Sequence, residues 1–167
     1  MGITIEIYVA NPEELVSLHK KIASELTSAE ETERIFNQLE KYPQADFSLH
    51  LHWPDDIDAL CQAMIAEGLA VPPSTTRLLV EELWFDGISA CINKLSQELP
   101  LALAQTTEET LTHIAEQWVR NYIPDPATNA VHYTMAYTTA IKALSDLRQA
   151  SRDALIRRKP LLLYLQW

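Results

Sequence analysis

Glycine is scarce in this chain: there are three, Gly2, Gly68 and Gly87. A P-loop or a dinucleotide-binding turn gathers several glycines in one short loop, so this scatter argues against both, and no nucleotide cofactor is expected. Cysteine is scarcer still. Cys61 and Cys91 form no C-x-x-C pair, which leaves neither a disulfide framework nor a cysteine metal cage and predicts two packed, reduced thiols. No apolar run approaches the roughly 20 residues that span a bilayer. The opening "MGITIEIYV" has no basic n-region and no small-residue cleavage site, so a cytoplasmic chain without a membrane partner is expected.

Basic residues are also few, 13 Lys and Arg against 23 Asp and Glu, a formal net charge of -10. The deficit is local: residues 1–84 hold 15 acids and 5 bases, whereas residues 85–167 hold 8 of each. Phosphate backbones attract Lys and Arg, so this balance argues against nucleic acid and favours a basic protein partner. The basic cluster Arg148, Arg152, Arg157, Arg158 and Lys159 falls near the end of an expected helix, where cations complement the dipole.

What is present is ample apolar material, 47% of the chain, enough for one core within a single domain spanning 1–167. Residues 3–10, "ITIEIYVA", alternate as a half-buried strand should, with Ile3, Ile5, Ile7 and Val9 on one side and Thr4, Glu6 and Tyr8 on the other. Asn11, Pro12 and Glu14 then open a helix, and Ser28 with Glu31 makes a capping box, so two helices or one bent helix fill 12–41. "DFSLHLHW", residues 46–53, is the second alternating strand. A helix follows from Asp55 to its stop at Gly68, and "VPPS" at 71–74 is a rigid extended linker.

Leu79, Leu83, Ile88, Ile92 and Leu95 have helical spacing, though 77–84 also reads as a strand, with Asp86 and Gly87 as the turn before a shorter helix. Thr106 and Glu109 suggest a capping box before a helix carrying Leu111, Ile114 and Trp118, ended by "PDP" at 124–126. A long helix is expected from Thr128 to about Lys159, with an interruption near Ser151. "LLLYLQW" closes the chain as a third strand with Leu161, Leu163, Leu165 and Trp167 inward. The class is α+β and helix-rich, with a sheet of about three strands formed by the N-terminal, 46–53 and C-terminal segments, helices on its apolar face and water on its polar face.

If those strands are neighbours, Thr4, Glu6, Tyr8, Ser48, His50, His52, Tyr164 and Gln166 share the polar face. His50 and His52, two apart on a strand, lie roughly 7 Å from each other, a span one metal ion bridges, and Glu6 would complete a two-histidine, one-carboxylate set. Without metal, either histidine can act as general base oriented by Glu6, with Tyr8 or Tyr164 positioning substrate. The H-x-H pair brings no third ligand at a recognised spacing, so a plain solvated sheet face is the favoured explanation of these residues, ahead of a polar binding patch and of a metal or acid–base site. Cys91 falls on an expected helix without a local activator and reads as packed. In "ELWFDG", Trp84 and Phe85 are adjacent among acids, so one of them is expected to be an exposed anchor.

No catalytic motif is complete. The expectation is a non-enzymatic protein-binding or regulatory module that neutralises a basic partner. Glu13, Glu14, Glu30, Glu31, Asp55, Asp56 and Asp58 would steer encounter and Trp84 or Phe85 would be buried on binding. The alternatives are a small metal-dependent or acid–base hydrolase using Glu6, His50 and His52, and a small-molecule sensor whose pocket is the same polar face.

Overall fold

The computed structural model describes residues 3–24, 28–48, 54–121 and 136–167. The elements run β1 (Thr4–Val9), α1 (Pro12–Ile22), α2 (Ala29–Leu39), β2 (Gln44–Asp46), α3 (Asp55–Ala66), α4 (Thr75–Leu78), β3 (Leu79–Phe85), β4 (Ala90–Leu95), α5 (Glu98–Leu103), α6 (Glu108–Asn121), α7 (Tyr137–Arg157) and β5 (Leu161–Gln166). The class is α+β. Among the described residues no helix is long and apolar enough to cross a membrane.

The N-terminal and C-terminal strands pair directly as β1 and β5, whereas the strand expected over 46–53 is displaced: β2 is Gln44–Asp46, Phe47 and Ser48 lie beyond it outside any strand, and 49–53 fall outside the described residues. The sheet has five strands, not about three, in the order β2-β1-β5-β4-β3 with every neighbouring pair antiparallel. The extra pair comes from 79–95, where helical spacing competes with a strand pattern. The strand wins there, and a second strand, not a short helix, follows the turn. Two physical features hide this hairpin. Edge strand β3 slips register between Leu79 and Glu81 and again between Glu82 and Trp84, which breaks its alternation. In β4, five of six residues are buried, so there is no polar side to alternate with. The turn is legible: Asp86 Oδ1 accepts the amides of Ile88, Ser89 and Ala90 at 2.8, 2.8 and 3.0 Å, and Gly87 takes a φ of 88° that L-residues avoid.

β5 lies between β1 and β4, and apolar cores cover both of its faces, which explains its unbroken "LLLYL". Leu161, Leu163 and Leu165 enter a large core with Ile5, Ile7 and Val9 of β1 and apolar residues of α3, α5, α6 and α7. Leu162 enters a second core on the opposite face with Tyr8, Ile92, Leu15 and Leu18 of α1, and Ile35 and Leu39 of α2. The polar face is therefore not open to water along its length, contrary to the expectation from sequence. α1 and α2 lie over it because their apolar stripes have nowhere else to be buried.

Caps follow the sequence at Asn11, whose Oδ1 accepts from the amides of Glu13 and Glu14, and at Ser28, whose Oγ accepts from Glu31. At α6 the cap is Thr107, which accepts the amide of Thr110, while the hydroxyl of Thr106 is turned back onto the carbonyl of Leu103. The C-terminal arginines do more than complement a dipole. Arg148 donates to the carbonyl of Thr106 and to Glu108, and Arg152 to the carbonyl of Ala104, so α7 ties down the turn between α5 and α6. α7 passes through Ser151 without interruption, the Ser151 hydroxyl bonding the Leu147 carbonyl one turn back.

Candidate functional site

β1 and β5 pair with Thr4 opposite Gln166 and Glu6 opposite Tyr164, while Glu6 also faces Asp46 of β2. Period-two alternation puts Thr4, Glu6, Tyr8, Tyr164 and Gln166 on one side of the sheet. The side chains engage one another: the Tyr8 hydroxyl donates to Glu6 Oε2 at 2.5 Å, and the Tyr164 hydroxyl to Gln166 Oε1 at 3.1 Å. Where α1 and α2 stand away from this face they leave a crevice of about 610 Å³, within the range of small-molecule sites. Its walls add His19 and Ile22 from α1, Phe36 and Leu39 from α2, Glu40, Trp84 from β3 and Asp86 from the β3–β4 turn.

His19 is the residue that sequence reasoning passed over. It is only 4% exposed, its ring stacks on Tyr164 at a centroid distance of 4.0 Å, and it meets Tyr8 edge-on at 6.1 Å. Its Nε2 is buried with no hydrogen-bond partner. The signal was available: Leu15, Leu18, His19 and Ile22 follow i, i+3, i+4, i+7 spacing, so the imidazole belongs to the buried stripe of α1.

Burial sets the electrostatics of the crevice. It lowers the His19 pKa to about 4, so the ring is neutral at physiological pH. It raises the Glu6 carboxyl above its ordinary value, helped by the nearby Asp46 charge and opposed by the Tyr8 hydrogen bond. Desolvation and then Glu6 push the Tyr164 phenol up to about 12. Asp86 is held below the usual carboxylate range, first by the Ala90 amide, and stays ionised.

The structure brings Glu6, Tyr8, Tyr164, Gln166 and Trp84 to one place. His50 and His52 lie outside the described residues. The metal set of Glu6, His50 and His52 therefore has one described member, and among the described residues no three His, Cys, Asp or Glu side chains gather as a metal site. Ser48 pins β2 to β1, its hydroxyl accepting the Ile5 amide at 3.0 Å. Phe85 is the exposed member of the Trp84–Phe85 pair, 46% accessible and stacked on Trp167 at 6.2 Å. Asp55 is exposed at the start of α3, whereas Asp56 is buried, so the two do not stand on the surface together. Cys61 and Cys91 are free and buried, and burial pushes the Cys61 thiol up to about 12, too high for a thiolate nucleophile.

Comparison with protein-family models, curated proteins and solved structures gives no match to this chain. The site is read from its own geometry.

Proposed function

We propose that the protein is a non-enzymatic binding module that engages a basic protein partner where the β3–β4 turn meets the end of β5. The observation that carries this reading is an exposed apolar rim beside an acidic hollow. Phe85, Ile88 and Trp167 stand 46, 81 and 43% exposed; Trp84 and Asp86, which flank Phe85, and Gln166, which precedes Trp167, line the crevice. Aromatic anchors of this kind supply most of the energy of an interface, and surrounding carboxylates steer a basic partner onto it. Glu13, Glu14, Glu30, Glu31 and Asp55 are exposed and extend the acidic field, with the remainder of the net -10 behind them.

Acid–base chemistry in the same crevice is a second reading, favoured by the company of Glu6, Tyr8 and His19. Binding is the stronger of the two. A histidine held at about 4 is a weak base at neutral pH, far from the matched pKa that proton transfer requires.

Affinity capture from the native host tests the binding module, using the wild-type protein and a Phe85→Ala/Trp167→Ala variant. The expected result is one basic protein retained by wild type, released by raised salt, and held about tenfold or more weakly by the variant, the loss typical of hot-spot aromatics. Capture that ignores salt or the double substitution, or no capture, rejects the reading.

A further inference from the structure

We propose that the crevice between the sheet and helices α1 and α2 is a receptor for an organic ammonium group, held by Glu6 and enclosed by aromatic rings. This deepens the binding reading above, and rests on it only for where the ammonium comes from.

Four observations converge. The walls carry Glu6, Glu40 and Asp86 and, among the described residues, no lysine or arginine. Glu6 takes a hydrogen bond from the Tyr8 hydroxyl, yet none of the ion pairs between described residues involves it. A partly desolvated carboxylate beside a second acid and without a cation is costly, and a ligand of opposite charge removes that cost. Tyr8, Phe36, Trp84 and Tyr164 all contribute to the walls, and faces of aromatic rings attract alkylammonium groups. The fourth observation is His19, more than nine-tenths buried with Nε2 unpartnered. Because the ring is neutral, it adds no positive charge to the wall to repel a cation.

An anion finds three carboxylates and no positive side chain among the described walls. A neutral ligand leaves Glu6 without a counter-charge. The ammonium can come from two sources, a free amine or a lysine side chain of the basic partner, and the chemistry of recognition is the same.

The test titrates the full chain with n-butylammonium, n-butanol and n-butyrate, following the ring resonances of His19 and Tyr164 by NMR. A lysine-bearing peptide and its acetyl-lysine counterpart are titrated in parallel. The expected result is saturable shifts with n-butylammonium alone of the three small probes, weakened about tenfold or more in Glu6→Gln. That variant should also melt at a higher temperature than wild type at neutral pH, because it removes an uncompensated charge. A purely structural Glu6 would give the opposite change in melting. Tighter binding of the lysine peptide than of butylammonium, lost on acetylation, assigns the source to a protein partner; the reverse order assigns it to a free amine.

Butyrate or butanol binding as well as butylammonium, no response to any probe, or unchanged affinity in Glu6→Gln overturns the inference. Failure here with a basic partner still captured through Phe85 and Trp167 leaves the binding module standing. Ammonium binding without such a partner does the reverse.

Discussion

At the residue scale, the most consequential side chain is His19, because its burial couples the crevice to pH. The folded state holds the ring neutral to about 4 against an ordinary value of 6.5, so between those values the unfolded chain binds more protons. Stability must then fall as pH drops from about 6.5 to about 4, by at most about 3 kcal/mol from this group. Glu6 acts in the opposite sense: its raised pKa favours the folded state while it is protonated and withdraws that benefit as pH rises through the folded value. Tyr8, Tyr164, Glu40 and Asp86 share the crevice with both groups. Urea midpoints measured from pH 4 to 7 should show the acid-side loss, and His19→Leu should flatten it. An equally steep profile in that variant would mean that other groups carry the effect.

Arg158 shows how an element ends on an unsuitable residue. It closes α7 at φ 53°, with its own amide donating to Leu155 and the Lys159 amide to Ala154. This left-handed cap is ordinarily built on glycine. A side chain in that region costs roughly 1–2 kcal/mol, and glycine gives back about 0.5–1 through the entropy of the unfolded chain. Arg158→Gly is therefore expected to stabilise by about 0.5–1 kcal/mol, read as a higher denaturation midpoint. A lower midpoint would show that the guanidinium contributes more than the backbone strain costs. Elements whose signals are local were legible in the sequence: the Asn11 and Ser28 caps, the Gly68 stop with its φ of 81°, and the alternation of β1. β3 was legible only as an alternative to a helix and β4 was not legible at all, because a bulged edge strand and a strand buried on both sides both lose the period on which recognition depends.

At the scale of the molecule, one sheet separates two cores, and adjacent leucines of β5 belong to different ones. Leu162 is 0% exposed on the α1–α2 side, and Leu163 is 1% exposed on the side of α3, α5, α6 and α7. Each Leu→Ala substitution should cost about 2–5 kcal/mol. Because both cores share the central strand, both variants should unfold in one transition, with coincident tryptophan fluorescence and far-UV circular dichroism curves. Separate transitions for Leu162→Ala would show that α1 and α2 come away from the sheet independently. Charge also acts at this scale, since the acid-rich first half supplies a field that no single carboxylate would produce.

Chain-local chemistry alone determined the α+β class, the ends of several helices, the apolar side of β1, that of β5 as far as Leu165 though not the expected inward Trp167, which is 43% exposed, and the placing of the acids. It also put Glu6 with Tyr8 on one side of β1 and Tyr164 with Gln166 on one side of β5, because side-chain period and strand identity are properties of neighbouring residues; the β1–β5 pairing then merged the two sides. Only the tertiary structure decided that this face is partly roofed, that His19 closes over it, and that Phe85 meets Trp167. Those outcomes depend on where two amphipathic helices find apolar surface to cover, and on which strands lie side by side. Both are settled by packing between segments far apart in the chain, which no local pattern records.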